Sequence, residues 1–401
     1  MIRVRAFAVA AAIATGVAFT SPSLPSQHAL PPERWAAFVQ LLDERAAADS
    51  VVGAAAVLVH DGRIVAHHEY GFADRARGQR VSERTIFHYG SITKTLTAIA
   101  IMQLRDRGRL SLDDPVTRYI PELRRVHDPY GSMDSITIRM LLSHSAGFQN
   151  PTWPYKLGKP WEPFEPTSWN QLVAMMPYQE LLFQPGSRFS YSNPGFVYLA
   201  RIIEELTDDP WEGYVQKNIL SPLGLTRSSF GASPYYLAAD RSANYTLVRD
   251  SAAGGRERLV DNGREFDPGI TIPNSGWNAP LADLATWVGF LTGATHGDSA
   301  TRRLFDTVLH RSSLEEMWQP THATAEPDES MGMSFFIERR RGGRLVGHTG
   351  SQAGFLSLLF FDPVSTWAVI AVVNTADEAR EDEARQAFPA IREAALALIG
   401  Q

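Results

Sequence analysis

The sequence predicts a mixed α/β fold of the α+β kind: an antiparallel sheet built from N- and C-terminal strands and flanked by helices, with an all-helical segment inserted between them. Three observations carry this. Two β-rich runs, Val51 to His60 and Arg63 to Gly71, meet at Asp61-Gly62, a dipeptide that two-residue hairpins favour. Strand character returns far downstream at Met333 to Glu338, Arg344 to His348, Gly354 to Phe361 and Trp367 to Val373, with turns at Gly342-Gly343 and Asp362-Pro363. Between the two sets, from Ser91 to about Leu225, the pattern is helical.

Taken in order, Pro32 to Ala48 reads as a first helix before the hairpin. The insertion has helix starts at Asp114-Pro115, Thr137, Thr167 and Asp209-Pro210, and interruptions at Pro121, Gly147, Pro185-Gly186 and Pro222. A closing helix is expected from about Ala376. The expected division is therefore one catalytic domain over residues 30–401, with α/β parts at 30–90 and 260–401 and a helical part at 91–259. A sheet completed from both ends around an insertion creates a seam, where small-molecule sites form.

Composition narrows the function. With 401 residues, 44% of them hydrophobic and 20% charged, the chain can bury a large core. Its net charge of −6, with no basic block, argues against nucleic acid as a partner. The absence of cysteine excludes disulfides, thiolate metal sites and a lipoprotein cysteine. No His-Glu-x-x-His run occurs, and adjacent His67 and His68 point to opposite faces of a strand, so no metal or other cofactor is expected. At the N-terminus, Arg3 and Arg5 precede an apolar run, Ala6 to Phe19, that is short for a membrane span. Residues 1–29 read as a signal peptide and linker, with cleavage between Ser21 and Ala29, which implies a secreted or periplasmic protein and no membrane span in the mature chain.

The chemistry begins at Lys94, one of only four lysines among 38 basic residues, three positions after Ser91. Arginine stays protonated at any working pH, whereas a buried lysine can lose its proton and act as a base. Ile92 to Leu104 is apolar nearly all round and reads as a buried helix. Ser91-Ile92-Thr93-Lys94 therefore looks like a nucleophile with its base one helical turn away, in a low-dielectric setting aided by the positive end of the helix. Tyr191-Ser192-Asn193 precedes Pro194 and offers a phenol that could relay protons; in the alternative, Tyr191 closes a loop and Asn193 caps the helix. His348-Thr349-Gly350-Ser351 ends a strand, where a glycine lets backbone approach a ligand closely.

These three segments, in this order, resemble the penicillin-recognising serine hydrolases, and most of all the branch of class C β-lactamases and D-alanyl-D-alanine carboxypeptidase-like proteins. That branch also holds esterases of the family VIII type and D-amino-acid peptidases. The resemblance runs from about Val51 to Asn374. It includes Phe87-His88-Tyr89-Gly90, Leu141-Leu142-Ser143-His144-Ser145-Ala146-Gly147-Phe148, Gln184-Pro185-Gly186 and Gly347 to Phe355.

The resemblance implies that Ser91 attacks a carbonyl and becomes acylated while Lys94 and Tyr191 move its proton. It also implies that Asn193, His348, Thr349 and Gly350 bind substrate and that the backbone N–H groups of Ser91 and Ser351 hold the oxyanion. One departure bears on the substrate. Where strict β-lactamases and carboxypeptidases carry lysine, this chain has His348, expected to be only partly charged near neutrality, which weakens carboxylate recognition. A second feature is the stretch Asn150 to Pro166, where Trp153, Tyr155, Trp161 and Phe164 stand among five prolines, either as an aromatic wall over the cleft or as a stiff packed insertion. The expected function is a secreted serine hydrolase acting on an ester, a D-amino-acid amide or peptide, or a β-lactam. The alternative is a penicillin- or cell-wall-peptide-binding sensor with little turnover.

Overall fold

The computed structural model describes residues 30, 32–148, 166–250, 256–293, 299–377 and 387–400. The expected signal peptide and nearly all of the proline-rich aromatic stretch, residues 150–165, lie outside them.

The main sheet has nine strands: β1 (Gly53–His60), β2 (Arg63–Asp74), β3 (Gln79–Arg80), β4 (His322–Ala323), β5 (Glu329–Met331), β6 (Phe336–Arg340), β7 (Gly343–Gln352), β8 (Phe355–Phe361) and β9 (Trp367–Val373). Their spatial order is β3-β2-β1-β9-β8-β7-β6-β5-β4, with antiparallel pairing. The junction between the two ends of the chain is the β1–β9 pair, in which Ala54 faces Val373 and His60 faces Trp367.

Central strands are buried on both faces, which is why they read as unbroken apolar runs. In β1, Ala55, Val57 and Val59 face the large core shared with the helical part, whereas Ala54, Ala56 and Leu58 face a smaller core. That second core is closed by helix α1 (Pro32–Ala48) through Phe38 and Leu42, and by the final helix, Ala387–Ile399, through Ile391, Leu396 and Ile399. β2 lies toward one edge and is largely exposed in its first half, Ile64 and Val65 included.

Across the large core lies α2 (Lys94–Asp106), preceded by a 3₁₀ turn at Gly90–Thr93. Every residue from Lys94 to Leu104 is buried. α3 (Asn193–Thr207) packs against it, contributing Phe196, Leu199, Ile202 and Ile203 to the same core. No helix among the described residues is long and apolar enough to cross a membrane.

Three expectations change. The strand expected to end at His348 runs on to Gln352, because β8 continues to pair with it through Gln352↔Phe355. The helix expected from about Ala376 starts at Ala387, and Thr375–Asp377 instead forms a short strand parallel to Asn244–Asp250. The part expected to be helical to residue 259 contains Asn244–Asp250, which pairs in a hairpin with Arg256–Gly263 and buries Tyr245 and Leu247 on alternate positions. Helices Leu281–Thr292, Ser299–Val308 and Arg311–Met317 lie within residues 260–401, the second stretch assigned to the α/β part.

Candidate active site

The nucleophile turn is held against the sheet edge by two glycines. β6 pairs with β7 only as far as Phe336↔Gly347, so the backbone from His348 onward is unpaired on that side. Into this edge fits Tyr89-Gly90-Ser91. A Cβ on Gly350 would lie 1.9 Å from the Tyr89 carbonyl oxygen, and one on Gly90 would lie 2.8 Å from Ser351 N. Gly90 also has φ +50, in the left-handed region. Ser357 Oγ donates to Tyr89 O (3.0 Å), and Thr93 Oγ1 donates to Gly90 O (2.6 Å) while accepting from Trp277 N (2.9 Å). Ser91 and Ser351, the two expected oxyanion donors, are thereby brought to one cavity of about 340 Å³, also lined by Phe189, Tyr191, Phe336, His348 and Thr349.

Lys94 is 0% exposed, and its Nζ has three neighbours: Ser91 Oγ at 3.0 Å, Asn193 Oδ1 at 2.7 Å and Asn274 O at 3.0 Å. Burial pushes its pKa well below the ordinary lysine value. Burial is the cause, and Lys94 opens α2 directly after the 3₁₀ turn, at the positive end of that helix. A neutral amine has two N–H donors and one lone pair. Asn193 Oδ1 and Asn274 O can only accept, so they take the two protons, and the lone pair faces the one neighbour that can donate, the Ser91 hydroxyl.

Tyr191 lies over the amine, with Lys94 Nζ 4.8 Å from its ring centroid. Its buried hydroxyl has no hydrogen-bond partner of acceptable geometry, and burial raises its pKa above the ordinary phenol value, partly offset by nearby Ser91. It is held in the protonated form. Ser192, rather than Asn193, caps α3: its side chain accepts from Gly195 N. Asn193 Oδ1 is turned to Lys94 and to Asn274 Nδ2 (3.4 Å).

His348 corrects an expectation. It is 1% exposed, and burial followed by the nearby Lys94 side chain pushes its pKa down to about 3, so it is neutral rather than partly charged. Its Nδ1 donates to Thr349 O at 2.5 Å, leaving Nε2 as a bare acceptor without a partner.

Two contributors were missed from sequence. Asn274 acts through its main-chain carbonyl, which no side-chain motif encodes. His144, part of the Leu141 to Phe148 motif, sits at φ +53 and accepts from Ser190 N on its carbonyl (2.8 Å) and from Ser192 N on Nδ1 (3.0 Å). Its ring stacks on Tyr191 at 4.3 Å and 26°. The motif was legible; the partner was not. Among the described residues, His67, Glu69 and Glu83 are the one group of ligand-type side chains close enough to share an ion, and they lie on β2 and in the loop after β3, apart from this cavity.

A mixed sheet-and-helix body with its nucleophile turn wedged against an open sheet edge is the β-lactamase and transpeptidase architecture. A family model for β-lactamases matches residues 38–394, and the chain belongs to the β-lactamase family. Among curated relatives, protein flp of Staphylococcus aureus (strain COL) is 23% identical over 329 residues, covering 82% of this chain and 60% of flp. The chain thus spans about 60% of the length of that relative. Among solved structures, the octameric penicillin-binding protein homologue from Pyrococcus abyssi has a TM-score of 0.72 and 26% identity, over 91% of this chain and 77% of that one. The D-stereospecific amidohydrolase from Streptomyces sp. has a TM-score of 0.68 and 26% identity, over 90% and 98%.

Proposed function

We propose that the chain is a secreted or periplasmic serine hydrolase that works through an acyl-enzyme on Ser91 and cleaves an ester, a D-amino-acid amide or peptide, or a β-lactam. The observation that carries this is the Lys94 amine, buried, with its two protons committed to carbonyl oxygens and its lone pair 3.0 Å from the Ser91 hydroxyl. In the first half-reaction Ser91 Oγ attacks the carbonyl carbon as its proton passes to Lys94. The carbonyl π bond becomes an oxyanion, held by the N–H groups of Ser91 and Ser351. Collapse expels the leaving group, which takes the proton from Lys94 by way of the Tyr191 hydroxyl. Water then attacks the acyl-enzyme, and the same groups carry its proton back to Ser91 Oγ. In this reading Asn193, His348, Thr349 and Gly350 contact the bound substrate.

The similarity to a D-stereospecific amidohydrolase supports an amide substrate class, and the resemblance to penicillin-binding proteins supports acylation by β-lactams. A fluorophosphonate or penicillin probe is expected to add mass to the peptide carrying Ser91, and Ser91→Ala to abolish both labelling and turnover. Labelling elsewhere would overturn the assignment. Release of nitrophenol from short-chain esters stopping at one equivalent would favour a binding sensor that stalls after acylation.

A further inference from the structure

The cavity at Ser91 is acidic where it leaves the nucleophile. Residues 324–329 supply Thr324, Ala325, Glu326 and Glu329 to it, and among the described residues no lysine or arginine lines it. Glu326, Glu329, Phe336 and Thr349 also line a second space of about 560 Å³, so the two adjoin. Around that second space stand five carboxylates, Glu326, Asp328, Glu329, Glu338 and Glu393, against three guanidiniums, Arg339, Arg340 and Arg392. Arg392 is shared among Glu329 (3.4 Å), Glu338 and Glu393 (2.8 Å), and Arg340 is already bound to Glu338 (2.7 Å) and Glu393 (3.2 Å). Glu326 has no ion-pair partner among the described residues.

A separate observation points the same way. Nε2 of His348, on a residue 1% exposed that lines the inner cavity, is an acceptor lacking a donor. A buried polar atom without a partner is costly, and a ligand N–H would satisfy it whereas a carboxylate oxygen would not. The position that carries lysine in strict β-lactamases therefore presents the opposite hydrogen-bonding sense, beside a wall with more carboxylates than guanidiniums.

We propose that this cavity selects substrates whose acyl part bears an ammonium group, such as amino-acyl esters or amides with a free amine, and rejects those bearing a free carboxylate, with Glu326 and Glu329 setting the preference. The proposal rests on the acyl-enzyme reading and refines its substrate class. Like-charge juxtaposition discriminates strongly where water is partly excluded, so the effect belongs in kcat/KM.

The test compares three 4-nitrophenyl esters of matched length, the 6-aminohexanoate, the hexanoate and the adipate monoester, on the full chain. The aminohexanoate is expected to exceed the adipate by about tenfold or more in kcat/KM, with the ratio falling as salt is raised. Glu326→Gln and Glu329→Gln should each shrink that ratio. Because Glu329 is semi-buried and paired, the exposed Glu326 provides the variant that does not depend on folding. Equal rates for the three esters, an adipate preference, or a ratio unmoved in both variants would overturn the charge preference while leaving the hydrolase reading intact. Failure of all three esters to acylate Ser91 would overturn both.

Discussion

Lys94 is a potential cation placed where a cation is costly, and that conflict is its use. Because burial lowers its pKa, the folded chain binds a proton less readily than the unfolded one across the interval below 10.5. Stability therefore rises with pH through that interval, and at neutral pH the buried amine is a liability. Lys94→Met should abolish turnover and raise Tm, a trade of stability for function measurable by calorimetry. Lys94→Arg should be nearly as inactive as Lys94→Ala, since its charge survives but no removable proton does; near-normal rates would refute the base role. His144 is a positioning residue, acting on Tyr191 through Ser190, Ser192 and a stacked ring. Asparagine can place an oxygen near the Nδ1 position and tolerates positive φ, so His144→Asn should keep much of the activity. His144→Leu should lower kcat by about 100-fold with a smaller change in KM, and should shift the alkaline limb of the pH profile. Equal losses in the two variants would point to general destabilisation instead.

At the scale of elements, catalysis depends on β7 lying against the turn before α2. The contact is backbone to backbone, so the required residues are those that have no side chain: Gly90 and Gly350. Gly350→Ala would put a methyl carbon 1.9 Å from Tyr89 O, which cannot be relieved by a rotamer change. It is expected to cost about 2–4 kcal/mol in unfolding free energy and about 100-fold or more in kcat/KM, because parting β7 from the turn separates Ser351 N from Ser91. Denaturant titration together with kinetics checks both. From sequence, Gly350 was singled out as a site where backbone approaches a ligand closely; the approach of the Tyr89 carbonyl to it from within the chain was not legible. The strand boundaries were legible where both faces are buried, as in β1, β8 and β9, since burial writes a continuous apolar run. They were least legible at Thr375–Asp377, whose strand state depends on a partner more than 120 residues away.

For the whole molecule, three histidines, His88, His144 and His348, are sealed into the interior, and burial pushes the pKa of each below its ordinary value. His88 and His348 each have a pKa pushed from 6.5 to about 3 by burial, aided by Arg241 in the first case and Lys94 in the second. In the unfolded chain both titrate near 6.5 and take up protons that the folded chain refuses. Their contribution to stability is fully present above pH 6.5 and is lost as pH falls toward 3. Between pH 6.5 and about 4.5, above the range where most carboxylates titrate, unfolding free energy should drop by about 2 kcal/mol for each histidine. A flat stability profile across that window, measured by denaturant melts, would contradict the assignment. This acid sensitivity concerns the fold, and should appear equally in Ser91→Ala.

By itself the sequence determined which groups could do chemistry and in what order they enter: a serine and a lysine one turn apart on an apolar helix, a phenol before the next helix, and a glycine-bearing strand. It also determined that the sheet draws on both ends of the chain. These are local properties, expressed in spacing, propensity and burial pattern. The tertiary structure decided the charge each group carries and what it faces. Burial pushes the Lys94 pKa well below its ordinary value, His348 becomes a neutral acceptor where partial charge was expected, Asn274 enters through a carbonyl, and residues 324–329 add an acidic wall. A pKa and a cavity lining are set by neighbours hundreds of residues distant in the chain, so they come into being only when the chain has packed.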